Sequence, residues 1–457
     1  MSTLNVLLVT YGFPPSGGVG VLRAASLARY FPAEGIQLDV LTTRNASAVG
    51  VDPTLLKEIP AEVRVHRTVT LDLPFGIKKR IKRLLTRAEV PAGKSTSNRA
   101  PGKPNIFKRI LENILLPDPQ VTWLPVLTRT ARSIVRKRGI DLVLITVPPF
   151  SSVLLVEKLR REFPDLAIVV EFRDEWLSTA IDLVGFSRGN RARRIARDVE
   201  ASAVTNATAV VAVTEAARRE IRSRYPQEPE SKFLVIPNGF DATRLHRAAS
   251  SPERPLNGKI VIAHIGTVYA STEPSTLVEA VESLPPEVKS RFRFRFIGHI
   301  EEPRFSEALL RLGDMIELQG FLPQHEALAA INDTDYVLLV QHGRLNVAAK
   351  LYDYIGGGKP VLATVHPDGP ERLLIEDLRA GWWVGSRDVK GIRQLFVDAA
   401  ERMNSLQSEF RPDVNKIAQY ERRALAQRYA ALLHSIARPQ IESDVTVPIS
   451  SVEEKVR

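Results

Sequence analysis

Cysteine is absent from this 457-residue chain, so it has neither a disulfide nor a thiolate metal site available. Histidine is scarce. The eight present show no HExxH or comparable ligand spacing, and no GxSxG sequence marks a nucleophilic serine. No apolar stretch approaches the ~20 residues that a membrane-spanning helix needs. The nearest, Leu142 to Val156, is broken by Pro148, Pro149, Ser151 and Ser152. The opening MSTLNVLLVTYGFPP has no basic residue ahead of its short apolar run and reads as a first core strand, not a signal peptide. The expectation is a cytoplasmic protein, soluble or peripheral to a membrane, with no metal and no cofactor.

Apolar residues make up 44% of the chain and charged residues 25%, enough for a large core in each of two or three domains. The net charge of +11 is local. Residues 75–110 hold eleven Lys or Arg and a single acid, Glu89, so the rest of the chain is close to neutral. Within that segment Ile77, Ile81, Leu84 and Leu85 recur at helical spacing among Lys78, Lys79, Arg80, Lys82, Arg83 and Arg87. A cationic amphipathic helix of this kind suits an anionic membrane surface. A solvated helix packed on its own domain is the plainer alternative. Interleaved aromatics, which would favour nucleic acid, are missing.

Short Val- and Leu-rich runs alternate with helical stretches in two series. The first includes Asn5–Tyr11, Leu38–Thr43, Asp141–Val147, Ala167–Phe172 and Ala209–Val213. The second includes Ile260–Ile265, Phe292–Ile297, Tyr336–Val340 and Pro360–Thr364. Strand, glycine loop, helix and strand in succession imply parallel sheets, so two α/β lobes are expected. The boundaries read as 1–245 for a first lobe carrying a basic insertion at 74–115, and 256–412 for a second. A long helix at 413–437 and a loose tail at 438–457 follow.

Three stretches carry chemistry. Ser16-Gly17-Gly18-Val19-Gly20 lies between a strand and a helix, where glycine lets the main chain approach a phosphate. Lys350 and Asp353, three residues apart near a helix N-terminus, are placed to hold a diphosphate and the two hydroxyls of a ribose. Val170-Glu-Phe-Arg-Asp-Glu-Trp176 ends a strand with Arg173, Asp174 and Glu175. Asp174 is the candidate acceptor contact or proton acceptor, and Arg173 the candidate partner of a phosphate or carboxylate. For both, an internal Arg–Asp pair is the alternative. Gly266-Thr267, Gly298 and Gly320-Phe321 end further strands, where each is either a plain turn or a source of main-chain groups for a nucleotide pocket.

Taken in order, YGFPPSGGVG, DLVLITVPP, FRDEW, FLVIPNGFD, IAHIGTVY, FRFIGHIEE, IELQGFLP and KLYDYIGGGKPVLA resemble the family 4-like glycosyltransferases of GT-B fold, and specifically a subgroup with FRDxW and K-x-x-D/E motifs. The resemblance covers nearly the whole length. It implies two Rossmann-like parallel-sheet lobes facing a central cleft, with a nucleotide-sugar donor of UDP or GDP type on the second. The acceptor, a lipid-linked or growing cell-surface glycan, would sit on the first. It further implies transfer that retains anomeric configuration without a metal, with Lys350 as the subgroup's lysine and Asp353 where the family usually has a ribose-binding glutamate. The chain departs from the pattern in three places. Leu345 stands where the first motif glutamate belongs, Gly266-Thr-Val-Tyr-Ala-Ser lacks the family's Arg and Lys, and the first-lobe histidine is replaced near Arg173. A GT-B epimerase and an inactive GT-B scaffold subunit remain as alternatives.

Overall fold

The apolar runs become the strands of two separate all-parallel sheets. In the computed structural model, residues 3–46, 51–70, 115–180, 190–249, 258–401 and 409–437 are described. Lys78 to Arg87 of the basic insertion, and the tail at 438–457, lie outside them. The first sheet contains β1 (Leu4–Val9), β2 (Ile36–Thr43), β3 (Arg64–Thr68), β4 (Leu142–Val147), β5 (Ala167–Phe172), β6 (Ala209–Ala212) and β7 (Phe233–Val235), in the order 3-2-1-4-5-6-7. The second contains β8 (Ile260–Ile265), β9 (Phe292–Ile297), β10 (Ile316–Gly320), β11 (Tyr336–Gln341), β12 (Val361–Val365) and β13 (Gly381–Gly385), in the order 10-9-8-11-12-13. β4, β5 and β8 are buried at every position because helices cover both sheet faces. Each sheet reverses its winding once, between β1 and β4 and between β8 and β11. Such reversals open a crevice at the carboxyl ends of the strands.

The chain crosses between lobes twice. The first crossing lies at Pro237–Gly239, earlier than the sequence boundary at 245. Phe240 and Leu245 already belong to the second-lobe core. The second crossing corrects the expected continuous helix. Val414–Ala418 stays on the second lobe, and Arg422–Ala437 buries Ala426, Tyr429, Ala430 and Leu433 in the first-lobe core beside the first helix, Val19–Tyr30. The helix breaks because its backbone groups are taken by the other crossing. Phe240 N–H donates to the Tyr420 carbonyl (3.1 Å), and Arg422 N–H donates to the Phe240 carbonyl (2.9 Å). No helix among the described residues is long and apolar enough to cross a membrane.

Candidate functional site

At the second-lobe crevice, the ends of β8, β9 and β10 are drawn together as bare main chain. Gly266, Gly298 and Gly320 all have positive φ (122°, 142° and 68°), a region side chains rarely tolerate. Gly298 lies directly against Gly266, where a Cβ would collide with the Gly266 carbonyl. Phe321 follows at 74% exposure.

Lys350 enters this space from the other side of the switch point. It sits in the first turn of the helix Ala349–Gly356, which follows β11, and reaches back to β8. A Cβ on Gly266 would stand 3.1 Å from Lys350 Cε and 3.3 Å from Nζ. The ammonium donates to His264 Nε2 (2.9 Å) and toward the Thr267 carbonyl (3.4 Å). His264 Nδ1 faces the Leu338 carbonyl (3.2 Å), which only accepts, so Nδ1 carries the proton and Nε2 is free to accept from Lys350. Burial, reinforced by the Lys350 charge, holds the imidazole well below its ordinary pKa. Burial alone lowers the Lys350 pKa to about 7. No carboxylate among the described residues offsets it. This is a desolvated cation without a counter-anion.

Asp353 shares the helix but not the neighbourhood. Burial pushes its carboxyl up to about 6, against the pull of Arg422 and Arg244 and with the repulsion of Asp241. These residues belong to the two interlobe crossings. The carboxylate accepts no hydrogen bond from a described residue. Helical spacing alone put Lys350 and Asp353 on one face. The structure turns the first to the β8 loop and the second toward the hinge.

In the first lobe, the charges past β5 separate by role. Glu171 is fully buried, paired with Arg23 (2.7 Å) and accepting from Thr146 (2.7 Å). Glu175 is equally buried. It pairs with Arg224 (2.7 Å) and accepts the Ser178 N–H (2.7 Å). Arg173 feels the Asp174 and Glu171 carboxylates, as the internal-pair alternative has it, and makes its hydrogen bonds to main chain. Its Nε donates to the Val147 carbonyl (3.1 Å) and its Nη2 to that of Pro148 (2.8 Å), tying β5 to the end of β4. Its guanidinium also lies across Gly20, where any Cβ would collide with it. Gly20 is thus the glycine of the first loop that a close approach demands. Gly17 and Gly18 lead into the helix Val19–Tyr30, and Gly18 takes a left-handed φ of 108°. Asp174 alone of the block has no hydrogen-bond donor among the described residues. Burial raises its pKa, with Arg173 opposing, and its charge is felt by Tyr269 of the second lobe.

Leu345 is buried at the lobe contact, its carbonyl accepting from the hydroxyl of Thr214 in the first lobe. Sequence reasoning missed His264, hidden inside an apolar strand. It also missed Glu371, a fully buried carboxyl raised to about 8 that accepts the Ala348 N–H (3.3 Å) ahead of the Lys350 helix. Among the described residues, no group of three or more His, Asp or Glu is placed to hold a metal ion.

Comparison with known proteins agrees with this architecture. A putative colanic acid biosynthesis glycosyltransferase, WcaL, of Salmonella typhimurium is 29% identical over 222 residues, 46% of this chain and 52% of that protein. Its Escherichia coli counterpart is 30% identical over 177 residues, 36% of this chain and 41% of that protein. The chain therefore spans about half the length of the curated relatives it matches. Among solved structures, Anabaena HepE in complex with UDP and glucose superposes with a TM-score of 0.63 at 15% identity, covering 94% of this chain and 100% of that one. Sucrose-phosphate synthase from Thermosynechococcus elongatus gives 0.57 at 14% identity, covering 95% and 99%. These likenesses establish the GT-B fold. The family profile itself matches residues 16–244, half of the chain, and on that match the chain belongs to Glycosyltransferase Family 4.

Proposed function

We propose that the protein transfers a sugar from a nucleotide-sugar donor, of UDP or GDP type, to a lipid-linked or growing glycan. The observation that carries this reading is Lys350, a buried ammonium at a switch-point crevice with no acid to balance it among the described residues. A diphosphate supplies the missing charge. It would lie between Lys350, the N-terminus of the helix Ala349–Gly356 and the main chain of Gly266 and Thr267. Charge developing on the leaving diphosphate is then met by donors already in place, and this stabilises the transition state more than the ground state. In this chain Lys350 takes the part that an Arg or Lys after β8 would otherwise play.

Asp353 is assigned to the donor ribose on the family pattern; since its carboxyl faces Arg422 and Arg244, a ribose it holds would have to reach toward the interlobe crossings. Gly298, Gly320 and Phe321 complete the donor side. Asp174 is assigned to the acceptor hydroxyl, either as a contact or as the group that takes its proton. The raised pKa favours the second role. Arg173 acts as a positioning residue that fixes the strand bearing Asp174. Gly17 and Gly18 bring the first-lobe loop toward the same cleft. Transfer with retention and without a metal belongs to this reading, as does work beside an anionic membrane surface that Lys78 to Arg87 would contact.

Calorimetry with UDP and GDP nucleotides tests the assignment. Lys350→Ala is expected to weaken binding by roughly 10- to 150-fold, the worth of one hydrogen bond to a charged group, while the protein stays folded with a thermal stability at or above the parent's, because a desolvated charge is removed. Equal affinity in variant and parent would remove the diphosphate site. No nucleotide binding by the parent itself would favour the scaffold reading, to which the apolar Leu345 at the lobe contact lends weight. Release of an altered nucleotide sugar from donor alone would identify an epimerase.

A further inference from the structure

A cavity lies away from the cleft, on the first lobe. It is an open groove of about 600 Å³ between the helices Leu124–Arg138 and Leu154–Glu162. Arg129, Arg132, Arg136, Lys137 and Lys158 line it, with Leu124 and Pro125 at one end, and no acid does. Among the described residues Glu162 is the one acid that answers these cations, pairing with Arg132 (2.6 Å) and Arg136 (2.5 Å). Glu157 of the same helix is engaged elsewhere, by Arg161 and Ser202. Arg129, Lys137 and Lys158 are exposed and have no acidic partner among the described residues. A cluster of like charges with too few counter-charges costs free energy unless an anion is supplied from outside.

We propose that this groove seats the phosphate headgroups of an anionic lipid surface. Its dimensions favour a surface over a single small anion. From Arg129 to Lys137 the helix advances about 12 Å at 1.5 Å per residue, more than one phosphate spans. Its apolar end favours lipid over nucleic acid. Leu124, Pro125 and the exposed Val126 mark the start of the helix, and no aromatic side chain lines the groove for base stacking. Position supports the same partner. The helix starts at the carboxyl edge of the first sheet, where Trp123 Nε1 donates to Thr68 Oγ1 (2.7 Å) and the Thr70 and Thr122 hydroxyls meet at 3.5 Å. Thr70, beside Thr122, is the last described residue ahead of the sequence segment that carries about +10. A lobe resting on lipid through this face keeps its acceptor edge close to the bilayer.

The test is vesicle partition of the full chain, read without donor or acceptor, so failure here leaves the nucleotide test of Lys350 untouched. Sedimentation with phosphatidylglycerol–phosphatidylcholine vesicles would compare three proteins: the parent, the triple variant Arg129→Ala, Lys137→Ala, Lys158→Ala, and the parent lacking residues 75–110. Each cation near an anionic surface strengthens binding several-fold, so the triple variant is expected to bind about a hundredfold more weakly. It should also show a shallower salt dependence and keep the parent's nucleotide affinity as proof of folding. The deletion should retain binding that responds to the triple change. Parent-like partition of the triple variant would overturn the proposal, as would equal binding to pure phosphatidylcholine. Displacement from vesicles by low concentrations of inorganic diphosphate would replace the lipid with a soluble phosphate ligand. A short oligonucleotide that outcompetes the vesicles would replace it with nucleic acid.

Discussion

The two sheets present their carboxyl edges in opposite ways. The first ends in charge that is already answered: Glu171 by Arg23, Glu175 by Arg224, and Arg173 by two carbonyls. The second ends in glycine main chain and one buried amine that meets only neutral acceptors, with no carboxylate beside it among the described residues. Charge density alone therefore misleads about where a ligand binds. The FRDEW block looks richer in sequence, yet most of it holds the lobe together. Only Asp174 in that block shares the unanswered character of Lys350.

Three experiments would break or sharpen the contrast. The largest effect is expected from Glu171→Ala, which strands the nearly buried Arg23 and should cost about 3–5 kcal/mol in chemical denaturation. A loss below about 1 kcal/mol would mean that the first-lobe pair is not structural. Gly298→Ala comes next. Its φ of 142° and the facing Gly266 carbonyl predict a loss of about 1–3 kcal/mol together with weaker nucleotide binding, because the β8 loop must shift. Unchanged nucleotide affinity would separate the glycine contact from the site.

The smallest effect is a pH dependence. Free Lys350 loses its proton near pH 7, whereas a bound diphosphate raises its pKa. Nucleotide affinity should thus be fully present below pH 7 and fall as pH rises above it, by up to tenfold per unit. At pH 8 binding should take up a proton, seen as a heat that varies with the buffer, and Lys350→Arg should abolish this. In the unliganded protein the same group makes stability rise from about pH 7 toward 10.5, where the unfolded chain binds the extra proton. A flat affinity profile would mean that Lys350 does not meet the phosphate.

Much of the architecture was legible because central strands buried on both faces read as unbroken apolar runs, such as IVIAHI and LVLITV. The edge strands were not. RVHRT of β3 and GWWVG of β13 are only half covered and lack that signature. Position along the chain predicted that Lys350 lies at a helix start. It did not predict that the side chain crosses to β8, since His264 contacts it from 86 residues away. The block around Arg173 was located correctly, but its internal bonding depends on Gly20 and on the carbonyls of β4, which spacing does not reveal. The broken terminal helix had a continuous helical pattern, and only the partner segment at Phe240 interrupts it.

That interruption has a mechanical meaning. The two segments joining the lobes are laced to each other by reciprocal backbone bonds at Phe240, and Gly239 fits so closely under Tyr420 that any side chain there would strike its carbonyl. Two tethers fastened to each other in this way cannot move independently. Sliding of one half past the other would tear this lacing, so it fixes the register in which the two halves face each other.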